Sequence, residues 1–150
     1  SDLLIAQEFT PTDFDWRIGV LDGKPLYACK YYMAKDHWQI YNWKSEDKNE
    51  ICGNFDCLPI ESVPHGIVKA ALRVTAMIGN GLYGVDLKEV DGNPVVIEVN
   101  DNPNIDAGIE DQVAKKKIYL AIMRSLRHRI EDRLNAAQQK IQHHERDFFI

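Results

Sequence analysis

Leu82-Tyr83-Gly84-Val85-Asp86-Leu87 and Val95-Val96-Ile97-Glu98-Val99-Asn100, with Asp91-Gly92 between them, have the pattern of two strands joined in one hairpin. In the first run Tyr83, Val85 and Leu87 alternate with Leu82, Gly84 and Asp86; in the second Val95, Ile97 and Val99 alternate with Val96, Glu98 and Asn100. Side chains alternate across a strand, so one continuous apolar face forms only if Tyr83-Val85-Leu87 and Val95-Ile97-Val99 share a side. A two-residue Asp91-Gly92 loop would pair Val90 with Asn93 and put Asp86 on the face opposite Glu98. A three-residue loop, Asp91-Gly92-Asn93, pairs Val90 with Pro94, setting Asp86 opposite Glu98 and Gly84 opposite Asn100. The pattern therefore predicts the longer loop.

That register gathers two carboxylates and an amide on one face, beside the small Gly84. Directly opposed like charges destabilise a sheet, so something must neutralise Asp86 and Glu98. A hard divalent cation suits an all-oxygen set, and magnesium is commonly held by one or two carboxylates plus phosphate oxygens. Zinc, which favours His and Cys, is a poor match. The same acids could instead face water or pair with Lys or Arg, since acidic hairpins are common.

Outward from the hairpin, the pattern predicts strands over Leu3 to Phe9, Trp16 to Leu21 and Pro25 to Met33, the last two joined at Asp22-Gly23, and a fourth strand over Trp38 to Trp43. Lys44 to Phe55 is polar and expected to be a loop. Ile67, Ala70, Ala71, Val74 and Ile78 recur at helical spacing, with Ser62 a candidate cap, Pro64 in the first turn and Gly79 and Gly81 at the end. Beyond Ile109 the chain is expected to be one or two helices reaching Phe148, with Ile118, Ile122, Leu126, Ile130, Leu134, Ala137 and Ile141 in one apolar stripe. This order implies an α+β fold, an antiparallel sheet with packed helices and a long C-terminal helix. The expected division is 1–113 as the sheet domain and 114–150 as a helical extension. That extension either folds back on its own domain or serves as an oligomerisation element.

The net charge of -5 argues against a nucleic-acid surface, which needs a basic stripe. No window reaches the ~18 apolar residues of a membrane span, so a cytoplasmic protein is expected. Cys29, Cys52 and Cys57 are an odd set at the wrong spacing for zinc, and all three are expected to be reduced thiols. A start at Ser1-Asp2-Leu3-Leu4-Ile5 suggests a domain cut from a longer chain. His143-His144 and Lys115-Lys116-Lys117 are expected to be solvated helix faces.

Gly84-Val85-Asp86-Leu87 followed by Val96-Ile97-Glu98-Val99-Asn100-Asp101-Asn102-Pro103 closely resembles the metal-binding segment of the ATP-grasp enzymes, above all the RimK-like ligases and their glutathione-synthase relatives. The resemblance covers roughly residues 3 to 113 and implies the C-terminal half of an ATP-grasp fold. It implies that Asp86, Glu98 and Asn100 hold magnesium, or manganese, against the phosphates of ATP. Ala6-Gln7-Glu8-Phe9 resembles the strand lining the adenine pocket, with Glu8 and Phe9 near the base. Asp15-Trp16-Arg17 resembles the family's Asp-Ile-Arg, with Asp15 near the ribose and Arg17 facing phosphates or an acyl intermediate. Asn42 resembles the last residue of an Arg-x-Asn phosphate motif, and Gly53 the glycines after it.

The implied activity is ATP-dependent joining of a carboxylate to an amine, the substrates being an amino acid, peptide or protein end. In this family the nucleotide is clamped between two subdomains, so the N-terminal subdomain is an expected partner. Two departures stand out. Cys29-Lys30-Tyr31 lies where the family usually has an Arg, making Lys30 the expected substitute cation, and Ile40-Tyr41 precedes Asn42 without the motif's Arg. They leave open a lapsed enzyme that only binds nucleotide. A helical interaction module with an incidental acidic hairpin is the other alternative.

Overall fold

Asp22-Gly23 and Asp91-Gly92 each close a two-residue hairpin. All four residues have positive φ, at 50°, 72°, 52° and 76° respectively. Two successive left-handed residues make the type I′ turn, whose twist matches that of the strands it joins. The computed structural model describes residues 6–34 and 53–147, with side chains described up to residue 140. Within them the strands are β1 (Phe14–Leu21), β2 (Lys24–Tyr32), β3 (Phe55–Leu58), β4 (Leu82–Val90) and β5 (Asn93–Asn100), and the helices are α1 (His65–Ile78) and α2 (Lys116–Asp147). The sheet is antiparallel throughout, in the order β3-β2-β1-β4-β5.

The three-residue loop expected after β4 does not form: Val90 pairs with Asn93 across a two-residue turn. The odd residue lies within β5 instead. Leu87 pairs with Val96 and Asp86 with Glu98, leaving Ile97 unpaired in a bulge that restores the parity the loop was expected to supply. Asp86 still faces Glu98, and Gly84 still faces Asn100. The cost appears in the apolar pattern, because Val96, not Val95, shares Leu87's side, and both valines are exposed. The first hairpin repeats the device: Gly19 pairs with Tyr27 and Val20 with Pro25, so Leu26 is the extra residue.

One face of the sheet carries the core. Trp16, Ile18, Val20, Ala28, Tyr83, Val85 and Leu87 pack with Ile67 and Ala71 of α1. Ile67, Ala71 and Thr75 are all buried and four residues apart, which puts them on one side of the helix. Each fully buried large side chain contributes about 1.5–3 kcal/mol of transfer free energy. The Thr75 hydroxyl avoids a burial penalty by donating to the Ala71 carbonyl oxygen at 3.0 Å.

Other expectations change. Residues 6–9 lie in no strand, while Ile5 and its predecessors, and the whole of Trp38 to Trp43, fall outside the described residues. Ser62 belongs to a short 3-10 turn (Ile60–Ser62), and α1 has Pro64 at its N-cap with no side-chain cap. Residues 109–115 form turns rather than helix, and Lys115, at φ 49°, blocks backward extension of α2. Cys29 and Cys57 are bonded in a disulfide, not free, because β2 and β3 set them directly opposite each other despite a sequence separation of 28. The missed β3 is why spacing alone could not pair them.

The chain divides into two compact units, Ser1–Val113 and Ala114–Ile150. The second is α2, on which Arg127 and Glu131 form an i,i+4 pair at 3.3 Å. No helix among the described residues is long and apolar enough to cross a membrane.

Candidate functional site

Opposite the core, the other face of the sheet is charged. Alternation along β1 puts Asp15 and Arg17 there, and the register aligns five side chains in one row across all five strands. Cys57 is the partner of Cys29, Cys29 of Arg17, Arg17 of Asp86, and Asp86 of Glu98. Asn100 joins the same face one step along β5, opposite Gly84.

Arg17 and Asp86 form a bidentate pair. Nε donates to Oδ1 at 2.8 Å and Nη2 to Oδ2 at 2.7 Å, with only 23% and 19% of the two side chains exposed. That hydrogen bonding raises the Arg17 pKa further above its ordinary value, so the guanidinium stays charged. Asp86 is thus paired with a basic side chain, one of the ways an acidic hairpin is neutralised.

The guanidinium also lies over the Tyr31 ring, 5.2 Å from its centroid. The Tyr31 hydroxyl donates to Glu110 Oε1, whose other oxygen accepts the Asp106 N–H at 2.8 Å. Glu110 is 2% exposed. A buried carboxylate is expensive unless hydrogen-bonded, and this one has a donor for each oxygen. Burial, and then the bond to Glu110, raise the Tyr31 pKa; burial likewise raises that of Tyr27. Among the described residues the Tyr27 hydroxyl is buried without a hydrogen-bond partner.

At the other end of β4 on this face, Lys88 Nζ donates to Asp15 Oδ1 at 2.5 Å and to Thr12 Oγ1 at 2.7 Å. Thr12 in turn donates to the same Asp15 oxygen at 3.0 Å. Asp15 is thereby held through one oxygen, leaving Oδ2 without a bond to either residue. Lys88 was not singled out from the sequence. The signal was present, since it shares Asp86's parity in β4.

Asp86, Glu98 and Asn100 share one face of the sheet, the face alternation assigned them, and Asp15 and Arg17, which the resemblance named, lie on that face too. Lys30 does not. It pairs with Trp16 in register and so projects from the core face, with Nζ 4.3 Å from the Phe14 ring centroid and 4.9 Å from that of Trp16. Its period places it on the opposite side of the sheet from Arg17. Glu8 and Phe9 are exposed in the segment before β1, which belongs to no strand, and Asn42 lies outside the described residues.

The donor set fits a hard cation in chemistry: two carboxylates and an amide oxygen, with room beside Gly84 limited by Pro103, whose Cβ lies 2.8 Å from where a Cβ on Gly84 would be. Among the described residues no group of three His, Cys, Asp or Glu side chains gathers as a metal cluster. A cation here would thus need oxygens from elsewhere, and Asp86 would have to be shared with or released by Arg17.

Neither a known family model nor a curated protein matches the sequence. Solved structures do match. The D-alanine–D-alanine ligase of Bacillus anthracis is 22% identical, with a TM-score of 0.56 over 82% of this chain and 43% of that one. Its complex with ATP gives a TM-score of 0.57 over the same shares. The ATP-grasp ligase PsnB, complexed with a phosphomimetic variant of its minimal precursor, Mg and ADP, is 17% identical, with a TM-score of 0.52 over 77% of this chain and 34% of that one. This chain accordingly spans less than half the length of either ligase. On the strength of its antiparallel sheet and these likenesses, the chain has the fold of part of an ATP-grasp ligase.

Proposed function

We propose that this chain is the C-terminal nucleotide-side portion of an ATP- and magnesium-dependent ligase of the RimK and glutathione-synthase kind, joining a carboxylate to an amine through an acylphosphate. The observation that carries the reading is the row Arg17-Asp86-Glu98, with Asn100 beside it, on the charged face of an ATP-grasp fold. Phosphoryl transfer depends on alignment and charge neutralisation more than on a protein nucleophile. The residues supply that kind of equipment.

Asp86, Glu98 and Asn100 would hold magnesium, which when bound neutralises the charge shared by the β- and γ-phosphates. Arg17 presents a planar guanidinium suited to bidentate contact with phosphate or carboxylate oxygens, and its packing on Tyr31 keeps it at the face when Asp86 is otherwise engaged. Asp15, fixed by Lys88 and Thr12, offers an oriented acceptor to a sugar hydroxyl. The segment carrying Glu110 lies close to Tyr31 and limits water access at that end. An N-terminal subdomain would close over this face and complete the nucleotide site.

The substrates this reading implies are an amino acid, a peptide or a protein end with a free carboxylate, and an amine. The test is phosphate release from ATP by the protein carrying both subdomains, across pools of carboxylates and amines. Turnover that disappears in Asp86→Ala supports the ligase. Nucleotide binding without turnover in any pool favours a lapsed enzyme, which the placement of Lys30 on the core face also favours. α2 as a contact between copies of the chain is a separate element of the proposal, read by the oligomeric state of a chain truncated before Lys116.

A further inference from the structure

Three observations meet at Cys57. Its sulfur is bonded to Cys29, directly across from it in register. The same sulfur lies 3.0 Å from the Ile109 carbonyl oxygen, in a geometry suited to a thiol donor. Ile109 adjoins Glu110, the buried carboxylate bonded to Tyr31. The oxidised state is satisfied by the S–S bond. The reduced state is satisfied too, since a Cys57 thiol has an acceptor already in place. A structural staple needs only the first of these arrangements; here the fold accommodates both.

From this pairing we infer that Cys29–Cys57 is a reversible thiol–disulfide couple that governs how firmly β3 is held to β2 at the edge of the charged face. β3 has four residues, is the edge strand among the described residues, and pairs only with β2. In the oxidised state its position is fixed by a covalent bond. In the reduced state β3 is left with its ladder to β2, the Tyr32–Asp56 hydrogen bond and the packing of Leu58, and the Cys57 proton bonds to the Ile109 carbonyl. Cys29 is the register partner of Arg17, so the change occurs one strand from the Arg17–Asp86 pair.

The chemistry is ordinary exchange with a thiol reductant. A reductant thiolate attacks the Cys57 sulfur, forming a mixed disulfide and expelling the Cys29 thiolate, which takes a proton. A second reductant thiolate attacks the reductant-side sulfur of that mixed disulfide, leaving the Cys57 thiolate to be protonated and the reductant as its own disulfide. Two electrons and two protons are transferred. Cys57 is the entry point because Cys29 is fully buried, whereas Cys57 is only partly so. The inference concerns the chain's own sulfurs and stands apart from the ligase reading.

The chain is equilibrated in a series of reduced and oxidised glutathione mixtures, then alkylated and mapped by mass spectrometry, with Cys52→Ser as a parallel sample to remove exchange through the third cysteine. Cys29 and Cys57 should convert together at intermediate ratios, identically in both samples. Hydrogen exchange at the amides of Phe55–Leu58 should quicken roughly tenfold in the reduced form, while the β1 and β4 amides stay unchanged. A Cys29→Ala/Cys57→Ser variant should show the fast exchange in every mixture, its serine hydroxyl bonding to the Ile109 carbonyl. Should that variant not fold, the two redox forms of the unaltered chain carry the comparison. The inference is overturned if both cysteines stay alkylatable in the most oxidising mixture, if the bond persists in the most reducing one, or if exchange is the same in both forms.

Discussion

Arg17 and Asp86 stand opposite each other on adjacent strands and share two parallel hydrogen bonds, so the aspartate's negative charge is already balanced. Removing the arginine leaves two facing carboxylates, Asp86 and Glu98, on one rung. Arg17→Met should therefore destabilise the chain by about 1–3 kcal/mol, the usual loss for a hydrogen bond to a charged group. It should also free Asp86 for a divalent cation. Magnesium or manganese should raise the denaturation midpoint of Arg17→Met more than that of the unaltered chain. Equal shifts in both would mean that the arginine and the cation do not compete for Asp86.

The two lysines offer a contrast in which face decides the outcome. Lys88 is held by Asp15 and Thr12 with 11% of its side chain exposed, so Lys88→Met should cost about 1–3 kcal/mol and Asp15→Asn should add little once it is made. Lys30→Met should cost about 0.5–1 kcal/mol from its aromatic contacts. In a protein with both subdomains, Lys88→Met should weaken nucleotide binding by freeing Asp15. Lys30→Met should leave it unchanged. Calorimetric titration of both variants with nucleotide checks this, and a loss confined to Lys30→Met would place the site on the other face.

Much of this arrangement could be inferred from alternation. Asp86, Glu98 and Asn100 sort onto one face because parity is a property of the chain, and the Asp-Gly pairs announce both turns. What alternation could not locate was the odd residue. A longer loop and a bulge restore the same parity, and only the fit of a type I′ turn to the strand twist favours the bulge at Ile97. The odd residue decides β2 as well: a bulge-free ladder from the Asp22-Gly23 turn would set Lys30 opposite Asp15 on the charged face, as the resemblance of Cys29-Lys30-Tyr31 to a motif also implied, and the extra Leu26 turns it to Trp16 and Phe14. The Cys29–Cys57 bond and the Tyr31–Glu110 contact join segments distant in sequence, and nothing local encodes them.

Gly19 and Gly84 are each required by what approaches them. A Cβ on Gly19 would sit 2.1 Å from a Tyr27 ring carbon, and one on Gly84 would sit 2.8 Å from Pro103 Cβ. Tyr27 is buried and has little space to move, so Gly19→Ala should lose about 1–3 kcal/mol or more by overpacking. Pro103 lies in the irregular segment after β5, and Gly84→Ala should be milder in stability. Its effect should instead appear at Asn100, the register partner of Gly84, as weaker divalent-cation binding. Denaturation curves and cation titrations on both variants separate the two effects. A Gly84→Ala chain that binds the cation normally would remove Asn100 from the ligand set.

Alkaline pH tests the polar contacts of the charged face. Burial raises the Tyr27 pKa, and burial together with the Glu110 hydrogen bond raises that of Tyr31, from an ordinary value of about 10. A group whose folded pKa exceeds its unfolded one stabilises the fold fully below the unfolded pKa and loses that contribution as pH rises towards the folded value. Stability should be flat up to about pH 10 and fall steeply above it, as the unfolded chain releases protons the fold retains. Tyr31→Phe should lower stability at neutral pH by about 1–3 kcal/mol, because Glu110 keeps only the Asp106 amide as a donor. It should also flatten the alkaline decline, since one of the two buried late-titrating phenols is gone. Phenolate absorbance followed against pH, alongside denaturant midpoints, reads both effects; a Tyr31→Phe chain declining as steeply as the unaltered one would assign the alkaline loss elsewhere.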